Sequence, residues 1–178
     1  MSAAGAWLRA WIARPEVGVC HTLNAWGRSQ PTRNLFRWIS RIGDGPVWYA
    51  LIFGLAWLGG DTGVTAALHL AAIGLISFLL YRSLKRWTQR PRPFAQYQSI
   101  QAHIAPLDEF SFPSGHTLHA TAFSLVACSY YPVLAWVLAP LTLLIALSRV
   151  ILGLHYPTDV LAAFAIGATL AAVSLLWL

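Results

Sequence analysis

Long apolar runs dominate this chain and limit what it can fold into. Five of them follow one another, at Pro46 to Gly60, Val64 to Leu84, Thr117 to Tyr131, Val133 to Leu152 and Pro157 to Leu178. A helix that crosses the hydrocarbon of a bilayer needs about 20 mostly apolar residues, so the first and third runs must borrow flanking residues. The runs predict an all-α fold, a multi-pass transmembrane helical bundle with five to six spans.

The composition excludes an ordinary soluble domain. Of the 178 residues, 57% are hydrophobic and 10% are charged, whereas a soluble domain is about 25% charged. The 12 Lys and Arg residues contribute to a formal net charge of +6, but they alternate with tryptophans beside the apolar runs. This mixture favours an anionic lipid surface or a phosphate substrate over nucleic acid as the partner. Cys20 and Cys128 lie far apart, so they predict neither a disulfide framework nor a zinc site.

Residues 1–45 are too charged to cross a bilayer and form the first of two predicted regions. Basic residues recur at helical spacing on one side, at Arg33, Arg37 and Arg41. Apolar residues occupy another side, at Leu35, Phe36, Ile39 and Ile42. This pattern predicts amphipathic helices that lie in the membrane interface, interrupted near Pro15 and Pro31. The alternative is that residues 7–26 form a poor first span.

Residues 46–178 form the second region, a transmembrane core with one long polar connection over residues 85–115. A connection of this length in a compact domain is usually functional. Alternating spans place this loop, the amino-terminal region and residues 149–159 on one side of the membrane. All 12 Lys and Arg residues then lie on that side, whereas the connections around Asp61 and Pro132 have none.

Three groups of residues on that side carry side chains that can handle phosphate. In chain order they are Lys85-x6-Arg92-Pro93, then Pro113-Ser114-Gly115-His116, then Ser148-Arg149-x5-His155-x3-Asp159. Together they resemble the three-part motif of the type 2 phosphatidic acid phosphatase superfamily, and the resemblance covers roughly residues 53–178. It implies a helical membrane core that hydrolyses phosphomonoesters or diphosphates through a phosphohistidine, without a metal or another cofactor.

The resemblance assigns three cations to phosphate binding: Lys85, Arg92 and Arg149. Fixed cations suit this reaction because the transferred phosphoryl group spreads negative charge over its equatorial oxygens. An arginine can bind two of those oxygens at once. For three neighbouring cations we expect only ordinary contacts with water or lipid head groups at the interface. These are Arg82, Arg86 and Arg90.

Ser114, Gly115 and His116 stand where the long loop turns into an apolar helix. Free backbone N–H groups at such a helix start bind anions. Gly115 allows a close approach, and Ser114 either donates its hydroxyl to phosphate or caps the helix. His116 is expected beside the leaving oxygen, as the general acid that protonates it.

His155 is the nucleophile that the resemblance implies. Its attacking nitrogen must be unprotonated while an acceptor holds the other ring nitrogen, and Asp159 is the expected acceptor. Pro157 favours a helix start, which puts Asp159 in the first turn, where a carboxylate suits the helix dipole. The alternative is that Asp159 only caps its helix, but a carboxylate at the head of an uncharged span is costly unless it is paired.

Outside these motifs the polar residues predict ordinary structural roles. His69 and His119 are expected to be packed or bonded to a partner within the bundle. His103, Asp108 and Glu109 are expected in a solvated loop.

The residues fit more than one function. We predict an integral membrane lipid phosphatase in which His155 attacks phosphorus, His116 protonates the lipid oxygen, and water then cleaves the phosphohistidine. A lipid phosphotransferase would use the same site, and soluble haloperoxidases resemble the motif too, but the apolar runs disfavour them. A transporter or non-catalytic scaffold is a further alternative, although transporters place ionisable groups near mid-membrane and not at one rim.

The substrate depends on which membrane face carries the site. An excess of Lys and Arg in cytoplasmic loops would put the site inside and favour phosphatidylglycerophosphate or phosphatidate. An outward-facing site, which the family more often has, would favour undecaprenyl diphosphate or another exported lipid. In both cases the expected partners are the bilayer of the cell (inner) membrane and a phospholipid or isoprenoid lipid phosphate. The oligomeric state carries no prediction.

Overall fold

The protein, described here by a computed structural model over residues 16–176, is built from helices, and those residues contain no strand. Helix α1 includes residues 16–26. The later helices are α2 (Gln30–Gly43), α3 (Pro46–Leu58), α4 (Gly60–Thr88), α5 (Pro93–Gln96), α6 (Gly115–Tyr130), α7 (Ala135–Ile151) and α8 (Pro157–Leu175). A short 3₁₀ turn, Pro132–Leu134, precedes α7. The all-α prediction is confirmed.

Each predicted apolar run forms one helix of the bundle, with shifted ends. Within residues 16–176, three helical segments are long and apolar enough to cross a membrane: Gly60–Gln96, Pro132–Ile151 and Pro157–Leu175. Pro46–Leu58 is a shorter apolar helix. Helix α4 continues beyond the predicted run, so Lys85 lies in its last turn and not in the loop. The helix ends where Gln89 takes a left-handed conformation with φ 47°.

Helix α6 is the centre of the bundle and packs against α4, α7 and α8. Most of its residues between Thr117 and Ala127 are buried. Its 16 residues rise about 24 Å at about 1.5 Å each, which is less than the roughly 30 Å of a bilayer core. A short helix fits here because neighbouring helices, and not lipid, surround it.

The amino-terminal region forms two helices, with a break at residues 27–29 just before Pro31 as predicted. Phe36 and Ile39 are buried in the main core, whereas Leu35 and Ile42 are exposed. The stripe with Phe36 and Ile39 packs inside the protein, because α2 contacts α7, α3 and α6. The interfacial position of α2 stays a prediction. The predicted break at Pro15 falls in residues 1–15, outside the described residues.

Helix α1, the long loop and the end of α7 meet at one end of the bundle. The buried side chain of Asn24 donates to the carbonyl oxygens of Gln101 and Ile151, at 2.9 and 3.0 Å. It also accepts from the backbone N–H of Gln101 at 2.9 Å. Arg37 in α2 donates to the carbonyl of His103, at 2.9 Å through Nε. These bonds bring together the segments that the alternating spans place on one side.

We expect Asn24→Ala to destabilise the protein by about 2–3 kcal/mol, because three hydrogen bonds at or near the core would be lost and unmade bonds cost about 1 kcal/mol each. Chemical denaturation in detergent micelles measures the change. Thr22→Ala is the matched control, because Thr22 is exposed on the same helix and bonds only the Gly18 carbonyl. Equal stabilities of the two variants would show that Asn24 does not tie the segments together.

Candidate active site

The end of α7 turns sharply and places His155 inside the protein. Gly153 has φ +77°, and a Cβ there would lie 2.3 Å from the carbonyl oxygen of Gln101, so only glycine fits. After this turn, the backbone N–H groups of Leu154 and His155 both donate to the Arg149 carbonyl, at 3.0 and 3.2 Å. Leu154 and His155 are therefore held firmly against the last turn of α7.

The two ring nitrogens of His155 face different groups. Nε2 lies 3.4 Å from Nη1 of Arg92, and Nδ1 lies 3.6 Å from Oδ2 of Asp159. The side chain is 1% exposed. Burial, reinforced by the charges of Arg149 and Arg92, holds the pKa of His155 well below the ordinary imidazole value. The ring is therefore neutral at neutral pH, and its Nε2 points toward the cations.

Asp159 is close to His155 but is not hydrogen-bonded to it, because 3.6 Å exceeds a hydrogen-bond distance. Its Oδ2 accepts from the backbone N–H of Tyr156 at 2.9 Å, as part of a capping box at the start of α8. Nδ1 of His155 has no hydrogen-bond partner among the described residues. The sequence left two alternatives for Asp159, which were pairing with His155 and capping of its own helix. In the structure the carboxylate caps α8 and also lies beside the imidazole of His155.

Arg90 binds the other oxygen of Asp159, so the expectation of an ordinary interfacial cation is wrong. Its Nη1 donates to Asp159 Oδ1 at 2.7 Å and to the Thr158 hydroxyl at 2.8 Å. Its Nη2 donates to Glu16 of α1. The guanidinium carbon lies 4.0 Å from the centre of the Tyr156 ring. A fully buried carboxylate needs such a partner, because an unpaired charge is costly there.

Lys85 and Arg92 converge on Asp108, a residue predicted to lie in a solvated loop. The ammonium of Lys85 donates to the two carboxylate oxygens at 2.7 and 2.8 Å, and Nη2 of Arg92 donates to Oδ1 at 2.8 Å. Burial alone would raise the pKa of the Asp108 carboxyl, but the hydrogen bonds and charges of the two cations outweigh it and hold the pKa below its ordinary value. Asp108 does lie in an exposed loop, with its side chain 40% exposed, but its carboxylate also bonds these two cations, which was not predicted.

Arg149, the third predicted phosphate-binding cation, is 2% exposed. Its Nη1 donates to the hydroxyl of Ser40 in α2. Its Nε has no hydrogen-bond partner among the described residues. A buried guanidinium with a free donor can accept an anion without first losing another bond.

The start of α6 carries the remaining predicted residues. Gly115 and His116 line the same cavity as His155, and Nε2 of His116 is hydrogen-bonded to Asp44 in the turn between α2 and α3. Ser114 differs, because its buried hydroxyl is bonded to that of Thr117 at 3.0 Å and makes no capping bond. Phosphate binding by Ser114 stays a prediction.

One cavity of about 870 Å³ gathers most of the predicted site residues. Those that line it are Lys85, Arg92, Gly115, His116, Arg149 and His155. Asp159 is buried behind His155, and Ser114 is buried at the start of α6. Among residues 16–176, no group of three or more His, Cys, Asp or Glu side chains is placed to hold a metal ion.

The structure adds five residues that the sequence reasoning missed or assigned elsewhere: Glu16, Ser40, Asp44, Arg90 and Asp108. Ser40, Asp44, Arg90 and Asp108 each bind a predicted site residue. Glu16 binds Arg90. One signal was available, because a chain with only 6 acidic residues has few carboxylates to neutralise its buried cations. Asp44 and Asp108 were therefore candidates on charge grounds.

This fold and cavity define an all-helical protein of membrane type, in which two histidines and three buried cations meet at one end of the bundle. The chain belongs to the PAP2 superfamily, whose family model matches residues 64–178. This confirms the resemblance drawn from the motifs.

Two curated relatives and one solved structure illustrate the similarity. The chain is 31% identical to decaprenylphosphoryl-5-phosphoribose phosphatase of Mycobacterium tuberculosis over 119 residues, which are 66% of this chain and 58% of the relative. It is 36% identical to phosphatidylglycerophosphatase B of Bacillus subtilis over 110 residues, covering 50% and 46%. The chain thus spans about half the length of these relatives. The crystal structure of Aquifex aeolicus LpxE superposes with a TM-score of 0.78 at 25% identity, covering 90% of this chain and 94% of the other.

We expect Arg90→Gln to lower the free energy of unfolding by about 3 kcal/mol, because Glu16 and Asp159 would keep their charges in a buried place without a cation. Denaturation in detergent micelles measures the loss. It should shrink as the pH falls, because protonation removes the unpaired negative charges. The control is Arg86→Gln, which changes an exposed arginine of α4. A loss that is small, or constant from pH 7 to pH 4, would contradict the pairing.

Proposed function

We propose that the protein is a multi-pass phosphatase of the cell membrane that hydrolyses a lipid phosphomonoester or diphosphate through a phosphohistidine. One observation carries the proposal: a buried, neutral His155 directs Nε2 toward the cations of a cavity that also has a wall of apolar side chains. Family membership and the names of the relatives support phosphate ester hydrolysis.

In the first step, Nε2 of His155 attacks phosphorus in line with the departing oxygen. Lys85, Arg92 and Arg149 bind the equatorial oxygens, where negative charge accumulates in the transition state. The proton on Nδ1 faces Asp159, whose charge stabilises the ring as it becomes cationic. Asp159 acts through His155 and does not touch the substrate.

His116 donates its proton to the lipid oxygen as the phosphorus–oxygen bond breaks. Water then attacks the phosphohistidine, and His116, now neutral, accepts a proton from that water. The nitrogen–phosphorus bond breaks, inorganic phosphate leaves, and His155 regains its neutral form. His116 therefore serves as acid in one step and base in the next.

The cavity supports a lipid as the substrate. From the cations it continues between α3 and α4 along a wall of apolar side chains. This wall is formed by Trp48, Tyr49, Ile52, Ala71, Leu75 and Phe78. A phosphate bound at the cations would thus have room for an attached hydrocarbon chain beside this wall.

The substrate class rests on the same cavity and on the relatives. One relative is named for a decaprenyl-linked phosphate and another for a phosphoglycerolipid. We propose that this chain acts on phosphatidylglycerophosphate, phosphatidate or undecaprenyl diphosphate, with the bilayer as its second partner. Residues 1–45 would lie in the interface, and residues 46–178 would form the core.

We expect His155→Ala to lose more than about 10³-fold in kcat for phosphate release from these lipids in detergent, because the covalent route is removed. ³²P-labelled lipid followed by an alkaline quench should label the wild-type protein, and His155→Ala should carry no label. His21→Ala is the control, since His21 is exposed on α1.

The same labelled lipid separates two related reactions. Release of labelled inorganic phosphate identifies a hydrolase, whereas transfer of the label to a second lipid identifies a phosphotransferase. Phosphate release by His155→Ala at the wild-type rate would overturn the proposed nucleophile.

We expect Ala71→Trp to raise KM for a long-chain lipid phosphate about tenfold, because an indole would crowd the space where the chain lies, at a cost of about 1–2 kcal/mol. KM for the water-soluble p-nitrophenyl phosphate should stay unchanged. Ala72→Trp is the matched control: Ala72 is exposed on the same helix and lies outside the cavity lining. Equal effects on both substrates would place the lipid chain elsewhere.

A further inference from the structure

His116 is bonded to a carboxylate that lies outside the three motifs. Its Nε2 is hydrogen-bonded to Oδ1 of Asp44, which belongs to the turn between α2 and α3. The two residues are 72 positions apart in the chain. The His116 side chain is 10% exposed and that of Asp44 is 36% exposed. The contact therefore lies at the edge of the cavity, where one partner is buried and the other reaches solvent.

Two glycines, Gly43 and Gly45, let the turn that carries Asp44 reach the cavity. Gly43 packs against Ile145 of α7, where an added Cβ would lie 3.1 Å from that side chain. Gly45 has φ +152° and lets the chain reverse into α3. Gly43, Asp44 and Gly45 all line the cavity. The short glycine-flanked turn thus brings one carboxylate to the start of α6.

The surroundings of His116 are otherwise dominated by positive charge. Besides Asp44, the charged and titratable residues that line the same cavity are Tyr49, Tyr81, Arg82, Lys85, Arg86, Arg92, Asp108, Glu109, His119, Arg149 and His155. Asp108 is already bonded to two of the cations. A protonated imidazole in this place would be repelled by Lys85 and Arg149 unless a carboxylate offset them.

We propose that Asp44 is a positioning residue for the general acid: it stabilises the protonated form of His116 and fixes which nitrogen delivers the proton. This inference rests on the function proposed above. It gives each histidine of the site a carboxylate of its own, Asp159 beside His155 and Asp44 on His116.

The proton movements follow from this pairing. The imidazolium of His116 has two N–H groups, and the one on Nε2 donates to Asp44. The proton on Nδ1 passes to the lipid oxygen as that oxygen leaves phosphorus, and the electron pair of the broken bond becomes the new O–H bond. His116 remains neutral with its proton on Nε2, so the lone pair on Nδ1 can accept the proton of the attacking water.

If Asp44 only stabilised its turn, changing its side chain would affect all substrates equally. Its backbone N–H closes the end of α2 by donating to the Arg41 carbonyl at 3.1 Å, and this bond survives any side-chain change at Asp44. Among residues 16–176, His116 is the one hydrogen-bond partner of the carboxylate. A catalytic effect of the side chain should therefore depend on how much the leaving oxygen needs a proton.

The test compares Asp44→Asn with wild type on two substrates, through kcat/KM, which covers the steps up to the phosphorylated enzyme. For a lipid phosphate, whose alkoxide leaves poorly, kcat/KM should fall about 10- to 100-fold, within the range of general acid catalysis. For p-nitrophenyl phosphate, whose phenolate leaves without a proton, it should change less than about threefold. Asp61→Asn is the control, because Asp61 is exposed in the first turn of α4, at the far end of the bundle.

The pH profile gives a second readout. His116 must be protonated to act as the acid, and Asp44 favours that form. The alkaline limb of kcat/KM for the lipid should therefore move to lower pH in Asp44→Asn, and Asp44→Glu should restore part of the shift. In a His116→Ala background, Asp44→Asn should cause no further loss.

Equal losses on the two substrates, an unmoved alkaline limb, or a further loss in the His116→Ala background would each overturn the role of Asp44. If Asp44→Asn alone does not fold, two other measurements test the role of Asp44. They are the pH profile of Asp44→Glu, and the comparison of His116→Ala with the double variant that also carries Asp44→Asn. Failure of the proposed function is a separate outcome, because wild type itself would then release no phosphate from either substrate.

Discussion

The concentration of positive charge at one end of the bundle is the constraint on which the rest of this structure depends. Lys85, Arg92 and Arg149 are all buried there, close to two histidines. Unpaired charges in such a place cost several kcal/mol each, so the fold must supply anions, hydrogen-bond acceptors and a rigid frame around them. Asp108 accepts hydrogen bonds from Lys85 and Arg92, and Ser40 accepts one from Arg149. Helix α6, which packs against α4, α7 and α8, keeps these helices in place.

The two histidines also meet this charge in different surroundings. His155 is enclosed by cations, remains neutral and has its Nε2 3.4 Å from Nη1 of Arg92. His116 lies nearer the rim and has a carboxylate on Nε2. The nucleophile and the acid that we propose would need opposite protonation states at the same pH. In the function that we propose, the same cations would bind the phosphate and keep the nucleophile unprotonated.

Local patterns predicted much of this protein. The apolar runs gave the bundle helices because each run carries its own helical and membrane signal, and the spacing of the motifs gave the residues that line the cavity. The partners of those residues were not predictable in this way. Arg90 looks like any interfacial arginine in the sequence, and Asp44 lies in a short turn far from any motif. Their roles come from contacts across 69 and 72 positions of the chain, which no local pattern encodes.

The carboxylate of Asp108 has a consequence for recognition. In the function that we propose, a phosphate that reaches Lys85 and Arg92 would replace the carboxylate that already bonds them. The binding free energy is then the difference between the two anions, so a doubly charged phosphate is favoured over a singly charged carboxylate or sulfonate.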